Sequence, residues 1–345
     1  MGRHENRRAL IGMSGGVDSS VAAWLMREQG YECAGVTLEL TGRLDARDAQ
    51  GVAQLLDMPH YIYNFEHDFK EQVVDKFVSA YISGSTPNPC VDCNKFVKFR
   101  KMLECADVLG CGYAATGHYA RVCESGGRWL LKKGLDAGKD QSYVLYNLTQ
   151  GQLSRVKFPL GGLSKAAVRE IAVAQGFANA GKRESQDICF IPDGDYAAYI
   201  EKYTGMSFPE GDFADTDGNI LGRHRGIIRY TGGQRRGLGV AHKEPLYVKA
   251  KDAGANVVTL CTERGLYSRS LIARDINLIA CDKIGGRLRV NARARYNQRE
   301  QPATVEQTGT DELRVEFDEP QRALTGGQSV VLYDGDIIIG GGTIA

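Results

Sequence analysis

The stretch Ala9-Leu10-Ile11-Gly12-Met13-Ser14-Gly15-Gly16-Val17-Asp18-Ser19-Ser20 decides the fold. An apolar run short enough for a buried strand ends at Gly12, and a helical pattern runs from Val21 to Met26 after a Ser-Gly-Gly turn. Strand, glycine turn and helix in that order direct several backbone N–H groups and the positive end of a helix to one point. The stretch therefore predicts a loop that binds a phosphate group.

The side chains of this loop refine the prediction. Its glycines let the backbone come close to an anion, and Ser14, Ser19 and Ser20 can add hydroxyl donors. The carboxylate of Asp18 would repel phosphates unless a cation lies between them, so we interpret Asp18 as a magnesium ligand. The Gly-Lys-Ser/Thr ending of the common nucleoside-triphosphate loop is absent. A plain glycine-rich turn is the alternative.

Composition limits the class of protein. The chain has 345 residues, enough for two or three domains, with 43% hydrophobic and 25% charged residues. Its formal net charge of +1 indicates that any nucleic-acid site must be a local patch. No apolar run has membrane-spanning length, and no apolar signal core follows residues 1–8. Nine cysteines then favour free thiols, metal ligation or catalysis over a disulfide framework, and the expected location is cytoplasmic.

Strands and helices alternate along the first part of the chain. The patterns predict strands over residues 31–38 and 60–65 and helices over 45–56 and 69–82. This alternation is typical of an α/β fold with a parallel sheet and helices on both faces. Ligands of such sheets lie at the carboxyl ends of the strands. Leu38, at one such end, is predicted to line an adenine pocket, although a core role is equally compatible.

A cysteine pair follows in an unusual loop. Two prolines in residues 86–95 indicate an ordered, extended loop, after which Asn94 is expected to cap a helix over 95–109. Cys93 would then lie beside a helix N-terminus, where the dipole lowers a thiol pKa. Paired with Cys90 in Cys-x-x-Cys, it suits metal or redox chemistry. Two structural cysteines in a turn are the alternative.

Two polar segments come next. Residues 113–121 read as a strand that opens into a polar loop, where Gly117 permits close approach of a nucleotide. His118 would contact a ligand or simply end the strand. A short strand over 129–133 leads to Lys139-Asp140-Gln141-Ser142, which suits phosphate or base contacts or plain helix capping.

A second cysteine segment lies further along. A helix over 164–174 begins with a serine cap, and the charged residues 182–187 then lead to Cys189. The apolar neighbours of Cys189 favour a buried, inert thiol, whereas the charged approach favours a functional one.

After about residue 205 the pattern becomes all-β, with turns rich in glycine and aspartate. A dense basic run there suits phosphate contacts, and an aromatic residue within it suits base stacking. The basic residues are Arg223, His224, Arg225, Arg229, Arg235 and Arg236, and the aromatic residue is Tyr230. Alternating arginines in 288–296 would share one strand face, and strands over 329–332 and 337–339 suit a small barrel. A solvated basic face is the alternative for the basic run.

Several motifs in order resemble one family over nearly the whole chain. Beside the glycine loop, which looks like that of the ATP pyrophosphatase superfamily, they are Thr86-Pro87-Asn88-Pro89, Cys93-Asn94-Lys95, Ala115-Thr116-Gly117-His118-Tyr119-Ala120-Arg121, Lys139-Asp140-Gln141-Ser142-Tyr143, Ile188-Cys189-Phe190-Ile191, Gly233-Gln234-Arg235-Arg236-Gly237-Leu238-Gly239, Glu319-Pro320-Gln321 and Tyr333-Asp334-Gly335-Asp336. They resemble the bacterial-type tRNA-uridine 2-sulfurtransferases. The resemblance implies ATP-dependent 2-thiolation of the wobble uridine of tRNA, with magnesium. It also implies a catalytic domain, a central β domain and a C-terminal β-barrel, for which we expect residues 1–205, 206–270 and 271–345.

The resemblance also implies roles for individual residues. ATP would be bound by Gly12, Met13, Ser14, Gly15, Gly16, Val17, Asp18, Ser19, Leu38 and Gly117, and the target base by Asn88, Pro89 and Cys90. tRNA would be contacted by Lys139, Asp140, Gln141, Arg295 and Tyr296, besides Arg235 and Arg236 of the basic run. Cys93 would be the nucleophile that carries sulfur, with Cys189 as its partner.

The sulfur chemistry stays open between two routes. In the first, Cys93 bears a persulfide, and attack by Cys189 releases the sulfur and closes a disulfide. Many relatives carry aspartate where this chain has Cys90, so in the second route Cys90, Cys93 and Cys189 would ligate a [4Fe-4S] cluster. The sulfur donor would be a cysteine desulfurase, a sulfur-relay protein or, with a cluster, sulfide. The segment 41–48 also looks shorter than in relatives, which bears on donor docking.

Two other functions would share part of this pattern. An amidotransferase-type synthetase would use the glycine loop but neither cysteine segment. An RNA-binding protein with a degenerate nucleotide fold would bind tRNA without turning over ATP; an intact Asp18 and Cys93 argue against it.

Overall fold

The glycine loop follows the central strand of a five-stranded parallel sheet. The computed structural model describes residues 7–42, 45–182 and 188–345. The strand order is β3-β2-β1-β4-β7, and every neighbouring pair is parallel. The strands are β1 (Arg8–Gly12), β2 (Glu32–Glu39), β3 (His60–Asn64), β4 (Tyr113–Ala115) and β7 (Val156–Lys157). The predicted α/β parallel sheet is confirmed.

Helices alternate with the strands of this sheet, and further helices follow its last strand. They are α1 (Val17–Glu28), α2 (Arg47–Leu55), α3 (Glu66–Phe69), α4 (Asp75–Ile82), α5 (Pro89–Asp92), α6 (Phe99–Val108), α7 (Gln150–Leu153), α8 (Lys165–Ala174) and α9 (Tyr196–Thr204). A π-helical segment, Lys70–Val74, joins α3 to α4. The helix predicted over 69–82 is therefore present, and it begins three residues earlier, at Glu66. The predicted serine cap is also confirmed, because the Ser164 side chain accepts a hydrogen bond from the Ala167 N–H. None of the described helices is both long and apolar enough to span a membrane.

The cysteine pair lies on a helix rather than in the expected extended loop. Asn88 is the helix cap, since its side chain accepts a hydrogen bond from the Cys90 N–H and Pro89 takes the first helical position. A π-helical segment, Cys93–Lys98, links α5 to α6. The prediction that Asn94 caps the helix was wrong. Its side chain is buried and donates to the Val144 carbonyl, 2.9 Å away.

The central part of the chain is a four-stranded sheet of order β10-β11-β8-β9. Its strands are β8 (Gly211–Ala214), β9 (Ile220–His224), β10 (Leu246–Asp252) and β11 (Val257–Thr262). A hydrophobic core joins this sheet to the helices of the cysteine region, because Phe77, Val97 and Phe190 cluster with Phe213 and Val258. The cysteine helix is therefore held at a seam between two parts of the molecule.

The C-terminal strands close into a six-stranded barrel. Their order is β12-β15-β14-β13-β16-β17, and β12 also pairs with β17. They are β12 (Tyr267–Leu278), β13 (Arg287–Arg293), β14 (Gln301–Gly309), β15 (Glu312–Arg322), β16 (Ser329–Asp334) and β17 (Ile337–Ile344). The expected last hairpin and small barrel are confirmed. A hairpin of β5 (Ala120–Ser125) and β6 (Arg128–Lys133) extends this sheet through β17, which ties the barrel to the parallel-sheet part of the chain.

Candidate active site

A cleft of about 290 Å³ opens at the carboxyl ends of β1, β2 and β4. Its position is the one expected for a ligand of a parallel sheet. The cleft is lined by Gly12, Met13, Ser14, Asp18, Ser19, Val36, Thr37, Leu38, Leu40, Lys98, Met102, Thr116, Gly117, His118 and Gln141. The structure thus brings together five of the glycine-loop residues expected to bind ATP, Gly12, Met13, Ser14, Asp18 and Ser19, with Leu38 and Gly117. Val36, Leu38 and Met102 give the cleft an apolar side, and the serines a polar one.

The glycine loop is held in shape by its own serines. Gly15 has a φ of +72°, a left-handed conformation that favours glycine. The Ser14 N–H donates to the Ser19 hydroxyl, which itself donates to the Gly16 carbonyl at 2.9 Å. Ser20 is fully buried and also donates to the Gly16 carbonyl. Ser14 and Ser19 line the cleft, but the Ser19 hydroxyl donates to the same carbonyl as Ser20, so Ser14 is the exposed serine of the three. The expectation that Ser20 offers a donor to the ligand was wrong, because Ser20 is buried and does not line the cleft.

Gly117 is required by the protein backbone itself. A Cβ atom there would lie 2.7 Å from the carbonyl carbon of Asp18 and 2.9 Å from the Ser19 nitrogen. The loop after β4 therefore packs directly on the start of α1. The close approach that glycine permits is to this helix start, not only to a nucleotide as the sequence suggested.

Asp18 already has a cationic neighbour. Its carboxylate accepts hydrogen bonds from the Lys165 ammonium group at 2.7 and 2.9 Å and from the Tyr119 hydroxyl at 2.9 Å. Lys165 is the first residue of α8 and is almost fully buried. Carboxylate oxygens bind magnesium together with phosphates, so Asp18 in this cleft has the chemistry of a magnesium ligand. The contacts of Lys165 and Tyr119 with Asp18 were not found from the sequence, because nothing local marks partners 147 and 101 residues away.

The three site cysteines differ in exposure. Cys93 is buried, whereas Cys90 and Cys189 are exposed. Burial raises the pKa of Cys93 to about 11, and the charges of Lys98 and of the neighbouring thiols have smaller effects. The prediction that a helix N-terminus lowers the Cys93 pKa was wrong, because the helix begins four residues earlier and desolvation dominates. Although Cys90 and Cys189 are exposed residues, neighbouring protein groups partly desolvate their thiols and raise their pKa values.

A second cleft, of about 600 Å³, opens against Cys189. Its walls include His67, Lys70, Tyr203 and Leu40, and Leu40 also lines the first cleft. Cys189 is therefore accessible, which contradicts an inert buried thiol. The charged approach that favoured this outcome lies mostly in residues 183–187, outside the described residues.

The cysteines do not form a metal site as they stand. The thiols influence one another's ionisation, so Cys93 lies near both Cys90 and Cys189. In the described ranges 7–42, 45–182 and 188–345, no three histidine, cysteine or carboxylate side chains are grouped to hold a metal. The described residues therefore do not support the [4Fe-4S] cluster of the second route.

The expected tRNA residues near the cleft point in different directions. The Gln141 side chain lines the cleft and accepts from the Tyr119 N–H at 2.9 Å. Asp140 is buried and accepts from the N–H groups of Gly134 and Ser142. Asp140 thus shapes the loop that presents Lys139 and Gln141.

The basic β region also divides into exposed and internal groups. Arg223, Arg225, Arg235 and Arg236 are exposed, but His224 and Tyr230 are buried against Phe213. The prediction that Tyr230 stacks on bases was wrong, because its ring belongs to the core. Arg229 is paired with Glu201.

Arg295 and Tyr296 lie where the central sheet meets the barrel. The Nη2 atom of Arg295 donates to the carbonyls of Gly232 and Ala323, both at 2.9 Å, and to the Thr325 hydroxyl at 2.6 Å. Tyr296 is half-buried, with its ring 5.7 Å from that of Tyr143. Arg295 therefore clamps two parts of the chain together.

The chain matches known families along its length. Family models described as tRNA methyl transferase HUP domain, tRNA methyl transferase PRC-barrel domain and Aminomethyltransferase beta-barrel domain match residues 7–193, 197–262 and 268–344. The chain is 47% identical to the tRNA-specific 2-thiouridylase MnmA of Clostridioides difficile, covering 98% of each chain. It is 46% identical to that of Acetivibrio thermocellus, covering 98% of this chain and 99% of the relative.

Two solved structures are similar to part of the chain. A 4-thiouridine synthetase–RNA complex with bound ATP is 20% identical, covers 56% of this chain and 50% of that one, and has a TM-score of 0.36. NMN synthetase from Francisella tularensis is 16% identical over 59% of this chain and 79% of that one, also with a TM-score of 0.36.

Proposed function

The chain belongs to the tRNA-specific 2-thiouridylase family of sulfurtransferase enzymes, and we propose that it catalyses ATP-dependent 2-thiolation of the wobble uridine of tRNA. One observation carries the proposal beyond family membership. The phosphate-loop cleft and the Cys189 cleft share Leu40 as a wall, so a nucleotide and a reactive thiol would lie on either side of one side chain. A synthetase without sulfur chemistry has no use for the second cleft.

The first step is activation of the uridine. The 2-oxygen of uracil is a poor leaving group, and transfer of AMP to it from ATP makes it a good one. We assign the nucleotide to the first cleft, with adenine against Leu38 and the phosphates at Ser14 and Ser19. A magnesium ion held by Asp18 would neutralise the departing pyrophosphate. The cleft's backbone and hydroxyl donors would orient the α-phosphate towards the base.

The second step delivers sulfur through the cysteine pair. Because Cys189 is exposed and Cys93 is buried, an incoming persulfide donor reaches Cys189 more easily than Cys93. We therefore propose that sulfur is first held on Cys189, which revises the order expected from the sequence. The Cys93 thiolate attacks the inner sulfur of this persulfide, the S–S bond breaks, a disulfide forms, and hydrosulfide leaves. Hydrosulfide then attacks the activated carbon, and the C–O bond to AMP breaks.

Trapping the persulfide tests this order. After incubation with a persulfide donor, mass spectrometry of Cys93→Ser should find the extra sulfur on Cys189. In Cys189→Ser we expect no persulfide on Cys93. A persulfide on Cys93 in the latter variant would restore the opposite order.

The persulfide route is preferred to the cluster because the cysteines do not form a ready ligand set. Protein purified without oxygen should contain no stoichiometric iron. About four irons per chain, lost in Cys90→Asp, would reverse this preference and make Cys90 a ligand.

tRNA is the proposed partner. We assign its phosphate contacts to the exposed Arg235 and Arg236 and to the loop of Lys139 and Gln141. Asn88, Pro89 and Cys90 begin the cysteine helix and are proposed to lie against the target base, which must leave the anticodon stack to reach them. Arg295 and Tyr296 would act mainly by holding the β parts in register.

We retain the division into residues 1–205, 206–270 and 271–345 as a catalytic, a central tRNA-binding and a barrel domain. The parallel sheet and its helices lie in the first range and the four-stranded sheet in the second. The β5–β6 hairpin of the first range joins the barrel sheet, so the first and third domains would move as one unit. A cytoplasmic location, where tRNA and ATP meet, belongs to the same proposal.

The direct test uses the whole chain with unmodified tRNA, ATP, magnesium and a persulfide donor. We expect 2-thiouridine and AMP in equal amounts, measured by mass spectrometry of the digested tRNA and by nucleotide chromatography. tRNA binding without AMP formation would favour a non-enzymatic RNA-binding protein. AMP formation without thiolation would favour another synthetase of the same fold.

A further inference from the structure

Lys98 connects the two clefts of the site. It ends the π-helical segment that begins at Cys93, and its side chain lines the nucleotide cleft with Ser14, Ser19 and Gly117. One short segment thus carries the buried thiol at one end and a half-buried cation at the other. π-helical turns within helices frequently mark functional sites.

Among residues 7–42, 45–182 and 188–345, no carboxylate pairs with the ammonium group of Lys98, unlike those of its neighbours on the helix. Lys95 pairs with Asp275 at 2.7 Å, and Lys101 pairs with Asp68 at 2.8 Å. A cation left unpaired in a recess is available to an anionic ligand, and its charge is felt more strongly there than in water.

The groups that face Lys98 leave its charge unmatched. They are the thiols of Cys90, Cys93 and Cys189, whose pKa values are raised mainly by burial, and the ring of His118. Burial, and to a lesser extent the charge of Lys98, holds the His118 pKa well below its usual range, so this ring is neutral. The nearby carboxylate of Asp18 is already paired with Lys165.

We propose that Lys98 is a further catalytic residue, whose ammonium group stabilises negative charge on the α-phosphate where the nucleotide cleft meets the thiols. The inference rests on the proposed function and adds a residue to it. When the uridine oxygen attacks the α-phosphorus, the bond to pyrophosphate breaks and charge grows on the α-phosphate oxygens. When hydrosulfide attacks the activated carbon, the C–O bond breaks and AMP leaves with the electron pair. In both steps Lys98 acts through its charge and forms or breaks no bond.

Three variants test this assignment in the full chain. Lys98→Met removes the charge and keeps most of the length, Lys98→Arg keeps the charge, and Lys101→Met is the same substitution one turn further along. Unmodified tRNA, ATP with magnesium, and sodium hydrosulfide as sulfur source are supplied, and kcat and KM for ATP are measured from AMP formation. Hydrosulfide removes sulfur delivery from the measurement.

We expect Lys98→Met to lower kcat about 100-fold, with a small change in KM, because the lost interaction strengthens in the transition state. Lys98→Arg should recover to within about tenfold of the starting chain, and Lys101→Met should stay within about twofold, since its ion pairs are at the surface. Equal tRNA affinity and Tm for the two methionine variants exclude a folding effect. Should Lys98→Met not fold, Lys98→Gln carries the same test.

The opposing outcomes are distinct. A Lys98→Met kcat within about threefold of the starting chain, or no recovery in Lys98→Arg, would overturn the role of Lys98. If the unaltered chain forms no AMP with tRNA, the proposed function itself fails, whatever the variants do.

Discussion

The parallel-sheet cleft and the basic β region use charged residues in opposite ways. At the cleft, Lys98 has no described partner and Ser14 is exposed, so the site is built to receive an anion. In the β region, Arg229, Arg289 and Arg295 are bound to Glu201, Asp318 and Thr325. Lys98 is thus open to a ligand, whereas these three arginines are already bound within the fold. What a basic residue can bind depends on whether the fold has already matched its charge.

Loss of the buried thiol should give the largest effect on the cleft side. Cys93→Ser is nearly isosteric and keeps the helix, but serine cannot attack a persulfide. We expect thiolation to fall more than about 1,000-fold, with tRNA affinity unchanged. Cys105→Ser, another buried cysteine on the same run of helix, is the control and should keep activity. Near-normal thiolation by Cys93→Ser would remove Cys93 from the chemistry.

Disturbing the packing of Gly117 on α1 should give the second-largest loss of activity. A Cβ in Gly117→Ala would meet the Asp18 backbone at 2.7 Å and displace the phosphate loop. We expect AMP formation to fall about 100-fold, since a displacement near 1 Å misaligns the reacting groups. Gly162→Ala, where a Cβ meets nothing within 4 Å, is the matched control. Equal activity in the two alanine variants would mean that the loop position does not matter.

The exposed arginines of the basic β region test whether unpaired basic residues there bind tRNA. Arg235→Gln with Arg236→Gln should weaken tRNA binding about tenfold and reduce the slope of log affinity against log salt by about 1–2. Arg289→Gln removes a guanidinium already paired with Asp318 at 2.7 Å, so it should leave that slope unchanged. If both sets of variants change the slope equally, an existing ion pair does not prevent an arginine from contacting tRNA, and the difference between exposed and paired arginines is wrong.

The smallest effect on activity is expected where the two regions meet. Lys251 of β10 lies over the ring of Tyr81, and burial lowers its pKa to about 8. Below pH 8 this lysine is charged in both the folded and the unfolded chain, so folding carries the full desolvation penalty. The penalty disappears as pH rises from about 8 to the unfolded value near 10.5, so the wild-type free energy of unfolding should increase over that range.

Lys251→Met should raise the free energy of unfolding at pH 7 by about 1–2 kcal/mol and lose this advantage above pH 10. Urea unfolding at pH 7 and pH 10 measures the difference. Lys249→Met, on the exposed part of the same strand, should show no such pH dependence. An equal gain for Lys251→Met at both pH values would contradict a titrating lysine, and thiolation should be unchanged in both variants.

Local patterns were enough to predict the elements and the place of the cleft. The apolar run before Gly12 and the helical pattern after it specified β1, the loop and α1, and parallel strands then required Leu38 and Gly117 to share an edge with them. Sequence patterns failed to predict the role of a side chain where a contact with a distant residue decides it. Asn88 and Asn94 are both suitable caps, and the bond from Asn94 to Val144, 50 residues away, leaves Asn88 as the cap.

Burial was the other quantity that sequence patterns could not supply. Tyr230 and His224 sit among arginines in the sequence but face the core of the central sheet. The Cys93 pKa depends on desolvation at a seam formed by helices and by strands more than 100 residues further on. The pairing of Asp18 with Lys165 likewise exists only after the sheet and α8 have packed.

In the proposed reaction, the chain activates tRNA with ATP before sulfur arrives. The most direct measurement uses Cys93→Ser with α-labelled ATP, magnesium and unmodified tRNA, quenched within a single turnover. If activation comes first, pyrophosphate is released and the label becomes attached to the tRNA, because the adenylated uridine forms but cannot be thiolated. Label that stays in ATP, or appears only as ADP, would contradict it.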